Sequence, residues 1–172
     1  MSIKSAVSLW DFALTVYAKQ NVETACLQLQ DEYGFDIPLL LFCCWSGWRY
    51  GAVSEAQLQA VISFSGECSQ QSVVPLRHIR RLMKIRYSDT WPVLESAWED
   101  LRSQVKTAEL LAEQLLLDGL EQLTQQWQPA SDKGNDACLH TIKACFIDID
   151  LTDRRLQQQL VTLLAVTESA LS

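Results

Sequence analysis

The sequence has no apolar run long enough to cross a bilayer. The longest, Pro38 to Trp45, falls far below the roughly 20 residues a spanning helix needs. No export signal is expected either: Lys4 is placed for one, but Asp11 interrupts the apolar stretch and no small-residue cleavage site follows. The expected location is therefore the cytoplasm. No Cys-x-x-Cys occurs, and five of the six cysteines (Cys26, Cys43, Cys44, Cys138 and Cys145) fall in helical patterns, two of them adjacent. Without export, reduced buried thiols are expected rather than disulfides.

Catalytic signatures are also missing. There is no Gly-x-Ser-x-Gly, no Walker loop and no Gly-x-Gly-x-x-Gly. A di-iron bundle needs Glu-x-x-His, yet Pro75 and Ala137 stand three residues before His78 and His140. Counted from Asp148 as a calcium loop, the sixth position is Asp153 rather than Gly and the twelfth is Gln159 rather than Glu. Asp148 and Asp150 instead read as an interhelical loop, with Thr152 capping the next helix. Cys138, His140 and Cys145 fit no zinc spacing. Asp31, Glu32 and Asp36 straddle a turn, unlike the facing aspartate motifs of a prenyl-transferring bundle. No cofactor is expected, and nothing points to an enzyme.

What is present is helical. Length (172 residues) and a 48% apolar fraction suit one domain with a core of its own. Strand alternation and repeats are absent. Ser8 and Asp11 resemble a capping box opening a helix on Leu9, Phe12, Ala13, Val16 and Tyr17. Asn21 is placed to cap a second helix, broken at Tyr33-Gly34-Phe35. Asp36 and Pro38 open a third that is apolar nearly all round and ends at Gly51, as suits the centre of a bundle. Ser54 opens a fourth through Phe64, and Pro75 a fifth ending near Tyr87. After a break at Ser88 to Pro92, Val93 to Trp127 forms one long periodic stretch, with a bend expected near Gly119.

In that stretch Leu94, Trp98, Leu101, Val105, Ala108, Ala112, Leu115 and Gly119 alternate by four and three, a heptad seam. Leu116, Leu120, Leu123 and Trp127 make a second stripe. The expected architecture is all-α: a helical bundle of about five helices over residues 1–127, a linker at 128–136, and a C-terminal helical pair over 137–172 docked on it. Whether the seam serves the fold or a contact between subunits stays open, and with it a homo-oligomer.

Charge is unevenly spread. Residues 51–91 carry five Lys/Arg against three Asp/Glu, within a chain of net charge -7. The acidic whole argues against DNA as a partner, since phosphate repels it at long range. Arg77, Arg80, Arg81 and Lys84 fall within about 100° of a helical wheel. They are candidates for docking an acidic protein partner, an RNA or an anion. The competing reading is a solvated face, or one paired internally. Glu109 and Glu113, one turn apart, are the candidate internal partners, with Glu95 and Glu99 beside them, and Arg77 and Arg81 share their spacing. Trp45, Trp48 and Trp98 are candidates for lining a pocket for an apolar ligand, against a plain packing role.

Several stretches together resemble a family. They are Leu9-Trp10-Asp11-Phe12-Ala13 with Tyr17 and Ala18, Ala25-Cys26-Leu27 with Leu29-Gln30-Asp31, Asp36 through Trp45, Pro75-Leu76-Arg77 with Arg80-Arg81, and Lys106 with Glu109-Leu110 and Glu113. In these the chain is similar to short bacterial proteins, found mainly in Proteobacteria, known as a domain of unknown function. The resemblance spans residues 8 to 125 and implies no activity, substrate or cofactor. The function expected is that of a non-enzymatic interaction or adaptor protein, binding through the basic helix or the long heptad helix. The alternative is a ligand-binding or catalytic bundle with a tryptophan-lined cavity and an Arg/Glu constellation.

Overall fold

The computed structural model describes residues 7–86 and 95–171, without the side chains of Ile85, Arg86 and Glu95. The expected break at Ser88 to Pro92, the start of the long helix at Val93 and Leu94, and Lys4 lie outside the described residues, as does the side chain of Glu95.

The described residues form α-helices, one π turn and no strand. The α-helices are α1 (Leu9–Tyr17), α2 (Val22–Tyr33), α3 (Ile37–Arg49), α4 (Glu55–Cys68), α5 (Val74–Arg86), α6 (Glu95–Leu123), α7 (Asn135–Cys145) and α8 (Arg154–Leu171). None is long and apolar enough to cross a membrane.

Local chemistry sets most boundaries. The Ser8 hydroxyl accepts from the Asp11 N–H and donates to the Asp11 carboxylate, fixing the start of α1. Asp36 Oδ1 accepts from the Leu39 N–H, and Ser54 with Gln57 completes a reciprocal capping box. Asn21 departs from expectation. It is left-handed (φ 69°) rather than extended as a capping residue is, and makes no side-chain cap. Asp153, not Thr152, caps α8. Its Oδ1 takes the N–H groups of Arg155 and Leu156, while Thr152 is held in the preceding turn by Asp150. An ionised carboxylate accepts more strongly there than a hydroxyl.

The fourth and fifth helices are not separated. α4 continues through the π turn (Ser69–Val73) into α5, and Pro75 falls just inside that second segment. Proline lacks the N–H of the i−4 ladder and clashes with the carbonyl behind it. The wider π turn lies where that bond would otherwise be lost. α6 runs unbroken through Gly119 and stops at Leu123 rather than Trp127.

Helix α3 is the centre, with every residue from Ile37 to Gly47 buried. Helix α7 crosses it closely at Gly47, where a Cβ would lie 2.5 Å from the Cys138 backbone nitrogen. Helices α1, α2, α6 and α8 complete the surround, and Cys138, Ile142, Leu156, Leu160 and Leu163 share one core with Phe12, Leu40 and Leu116. The cysteines are all free, and Cys26, Cys43, Cys44 and Cys138 are buried. Burial pushes the Cys26 thiol up to about 11 and Cys138 up to about 12.

The α4–α5 run lies antiparallel along α6. Phe64 sits where a Gly119 side chain would be, Arg77 meets Glu109 and Glu113, and the Trp98 indole donates to the Met83 carbonyl. Helix α5 packs mainly on α6, so the two form a hairpin at the side of the bundle.

Candidate functional site

Three arginines of α5 divide between two helices. Arg77 donates from Nε to Glu109 Oε1 at 3.0 Å and from Nη2 to Glu113 Oε1 at 2.6 Å. Arg80 holds the same Glu109 through Nε and, at 3.2 Å, through Nη2. Arg81 does not join them: its Nη2 reaches Asp31 Oδ1 on α2 at 2.7 Å. At about 100° per residue Arg80 points closer than Arg81 to α6, while Arg81 points back towards the bundle. Lys84 is exposed. Glu99 lies 3.6 Å from Arg102 on its own helix.

Glu109 is buried, and burial alone acts to raise its pKa. The hydrogen bonds from Arg80 and Arg77 outweigh that and hold the carboxyl below its ordinary value. Glu113 goes the other way, because burial lifts it more than Arg77 lowers it. Arg80 is raised by its bond to Glu109. Two arginines thus face two glutamates, so this part of the basic face is locally neutralised. An open cavity of about 390 Å³ between the α2–α3 turn and α5 is lined by Arg77, His78 and Arg81, among others.

The three tryptophans do not converge. Trp45 is fully buried and its indole donates to the Val7 carbonyl. Trp48 donates to Asn135 Oδ1 on α7, and Trp98 to Met83 on α5. Each ties a different element, and none lines the cleft between α1, α3 and α6 or the open cavity beside α5. An apolar cleft of about 230 Å³ lies between α1, α3 and α6, where Trp10, Leu14, Tyr17 and Leu110 surround the edge of Glu113. Among the described residues no cluster of three metal-ligating side chains forms.

The seam of α6 is divided. Setting Glu109, which faces α5, at zero on a helical wheel, Trp98, Val105, Ala112 and Gly119 lie between about −20° and −80°. They follow the α4–α5 run. Leu101, Ala108 and Leu115 lie between about −80° and −120°, with Leu111 beyond them. Leu101 is 49% exposed, Leu111 60% and Leu115 62%. Helix α5 does the same: Pro75, Ile79 and Leu82 stand on the side of it away from Arg81 and are all exposed. Arg77–Glu113 and Arg81–Asp31 mark the side of the hairpin towards the bundle, so both apolar rows share the outer side. Among the described side chains, the only polar one projecting within that stripe of α6 between Ala97 and Leu115 is Gln104, and none is charged. The sequence pattern contained this face, but burial alone divides the seam into a packed half and an open half.

Residues 8–120 match a family described as a protein of unknown function (DUF2390), and the chain belongs to that family. The match covers α1 to most of α6, the stretch where the motif resemblance was read. No curated protein and no solved structure matches the chain.

Proposed function

We propose that this member of the family is an interaction protein that docks a protein partner on the outer side of the α5–α6 hairpin. One observation carries the reading: an uncharged row of leucines lies open there. Contiguous exposed apolar surface on a folded protein is unfavourable unless something covers it, and it marks interaction sites more than scattered apolar residues do. The basic face supports this by contrast. Arg77 and Arg80 are engaged by Glu109 and Glu113, and Arg81 by Asp31, which leaves Lys84 as the remaining cation of the four.

Binding through such a face draws on buried apolar area, with selectivity from shape rather than charge. A photo-crosslinking amino acid at Leu111, compared with one at Val161 on α8, tests it in the cell of origin. Both positions are exposed to a similar degree. Protein adducts at position 111 well above those at 161 are expected; equal or absent adducts at 111 would remove the reading.

A further inference from the structure

We infer that the occupant of the outer hairpin face is a second copy of this chain, bound across a two-fold axis that passes through Ala108. This rests on the docking reading above and adds the identity of the partner.

The argument is the symmetry of the stripe. Ala108 has a leucine seven residues to each side, Leu101 and Leu115, on one helical face. A closed two-fold contact is isologous: if one residue meets a second across the axis, the second meets the first. Two α6 helices laid antiparallel at Ala108 set Leu101 of each copy against Leu115 of the other. Alanine meets alanine at the crossing. The small side chain lets the axes approach towards the near end of the roughly 8–10 Å range of packed helices. The leucines then lie about 10 Å to each side along the axis.

Helix α5 fits the same arrangement. Ile79 and Leu82 project on the same side of the hairpin, so two hairpins placed face to face make a four-helix layer with apolar residues inside. Charge also bears on the choice. A chain of net charge -7 repels its own copy at long range. A self-contact therefore needs a face on which like charges do not meet, and the α6 stripe is such a face. A basic partner would be attracted to the acidic surface elsewhere on the chain and has no carboxylate to meet on this stripe.

Sedimentation velocity on the purified full chain, up to about 100 µM, reads the state directly. A species of twice the chain mass is expected, returning to the single-chain mass in Leu115→Glu with an unchanged circular-dichroism spectrum. Leu101→Glu is the second variant should the first alter the fold. Cysteine pairing reads the register against the parent chain. Ala108→Cys is expected to form a disulfide dimer alone, while Leu101→Cys does so only when mixed with Leu115→Cys. A monomer at every concentration overturns the inference. So does a dimer that both glutamate variants leave intact. If the chain is monomeric yet position 111 still crosslinks to a different protein in cells, the docking reading survives and only the second copy falls.

Discussion

Arg77 Nε lies 3.0 Å from Glu109 Oε1 inside the α5–α6 contact, and Arg80 holds the other oxygen of the same carboxylate. Glu109 is therefore the hub that ties α5 to α6. Arg81, more than half exposed and bound directly to an exposed Asp31, ties α5 to α2 at the surface. The two kinds of contact differ in strength because removing Glu109 leaves part-buried Arg80 without its carboxylate and Arg77 with Glu113 alone, whereas solvent screens the Arg81 pair.

Glu109→Gln is accordingly expected to cost about 3 kcal/mol, the lower end of the range for removing one partner of a buried ion pair. Arg81→Ala is expected to cost under about 1 kcal/mol. Urea denaturation of both variants beside the parent checks the contrast. Equal losses would mean that Glu109 is not the hub.

The acid response follows from the same pair. Glu109 is held below its ordinary value, so its contribution is present above that value and is lost as pH falls through the lowered one. Glu113 is raised, so its contribution has the opposite sense: present below the ordinary value and lost as pH rises through the raised one. Melting temperatures between about pH 3 and 7 should show Glu109→Gln flattening the loss of stability in acid. Glu113→Gln should leave that loss in place and lessen the decline on the side above the ordinary carboxylate value.

Close helix approach gives a third expectation. A Cβ at Gly47 would overlap the Cys138 backbone, which cannot move without shifting α7 from α3. Gly47→Ala should cost about 1–3 kcal/mol by overpacking. At Gly66 a Cβ meets open space, so Gly66→Ala should stabilise the chain by up to about 1 kcal/mol through helix propensity. Thermal melts of the two variants should move in opposite directions.

Salt separates the open face from the charged one. Two acidic copies meeting on an uncharged stripe are held apart by long-range repulsion that added ions screen. Self-association should therefore strengthen several-fold between low and high salt. Weakening with salt would point to contact through the α5 cations instead. Sedimentation at two ionic strengths distinguishes these outcomes.

Much of this architecture was legible in the residues. The helical spacing, the serine and aspartate starts at Ser8, Asp36 and Ser54, and the all-round apolar α3 each follow from local chemistry. The π turn was not legible, because Pro75 reads as a helix start whether the chain ahead of it breaks or only widens. Arg80 and Arg81 stand about 100° apart, at the two edges of one basic arc, and only the position of α2 assigns Arg81 to Asp31. The α6 seam hid its division for a geometric reason. A strict seven-residue repeat drifts about 20° per heptad on a straight helix. Leu101, Ala108 and Leu115 thus turn progressively away from Glu109, while Leu116 and Leu120 hold the core.

The outer hairpin face is the central claim, and the most direct test compares its two sides in one crosslinking experiment in the native cell. The photo-crosslinker stays at Leu111 while a second change is made either at Leu115, to Glu, or at Lys84, to Glu. Adduct yield should fall by about tenfold or more with Leu115→Glu, the effect of losing roughly 1.4 kcal/mol of binding, and remain near the parent level with Lys84→Glu. Loss with Lys84→Glu and retention with Leu115→Glu would place the contact on the basic face and contradict the claim.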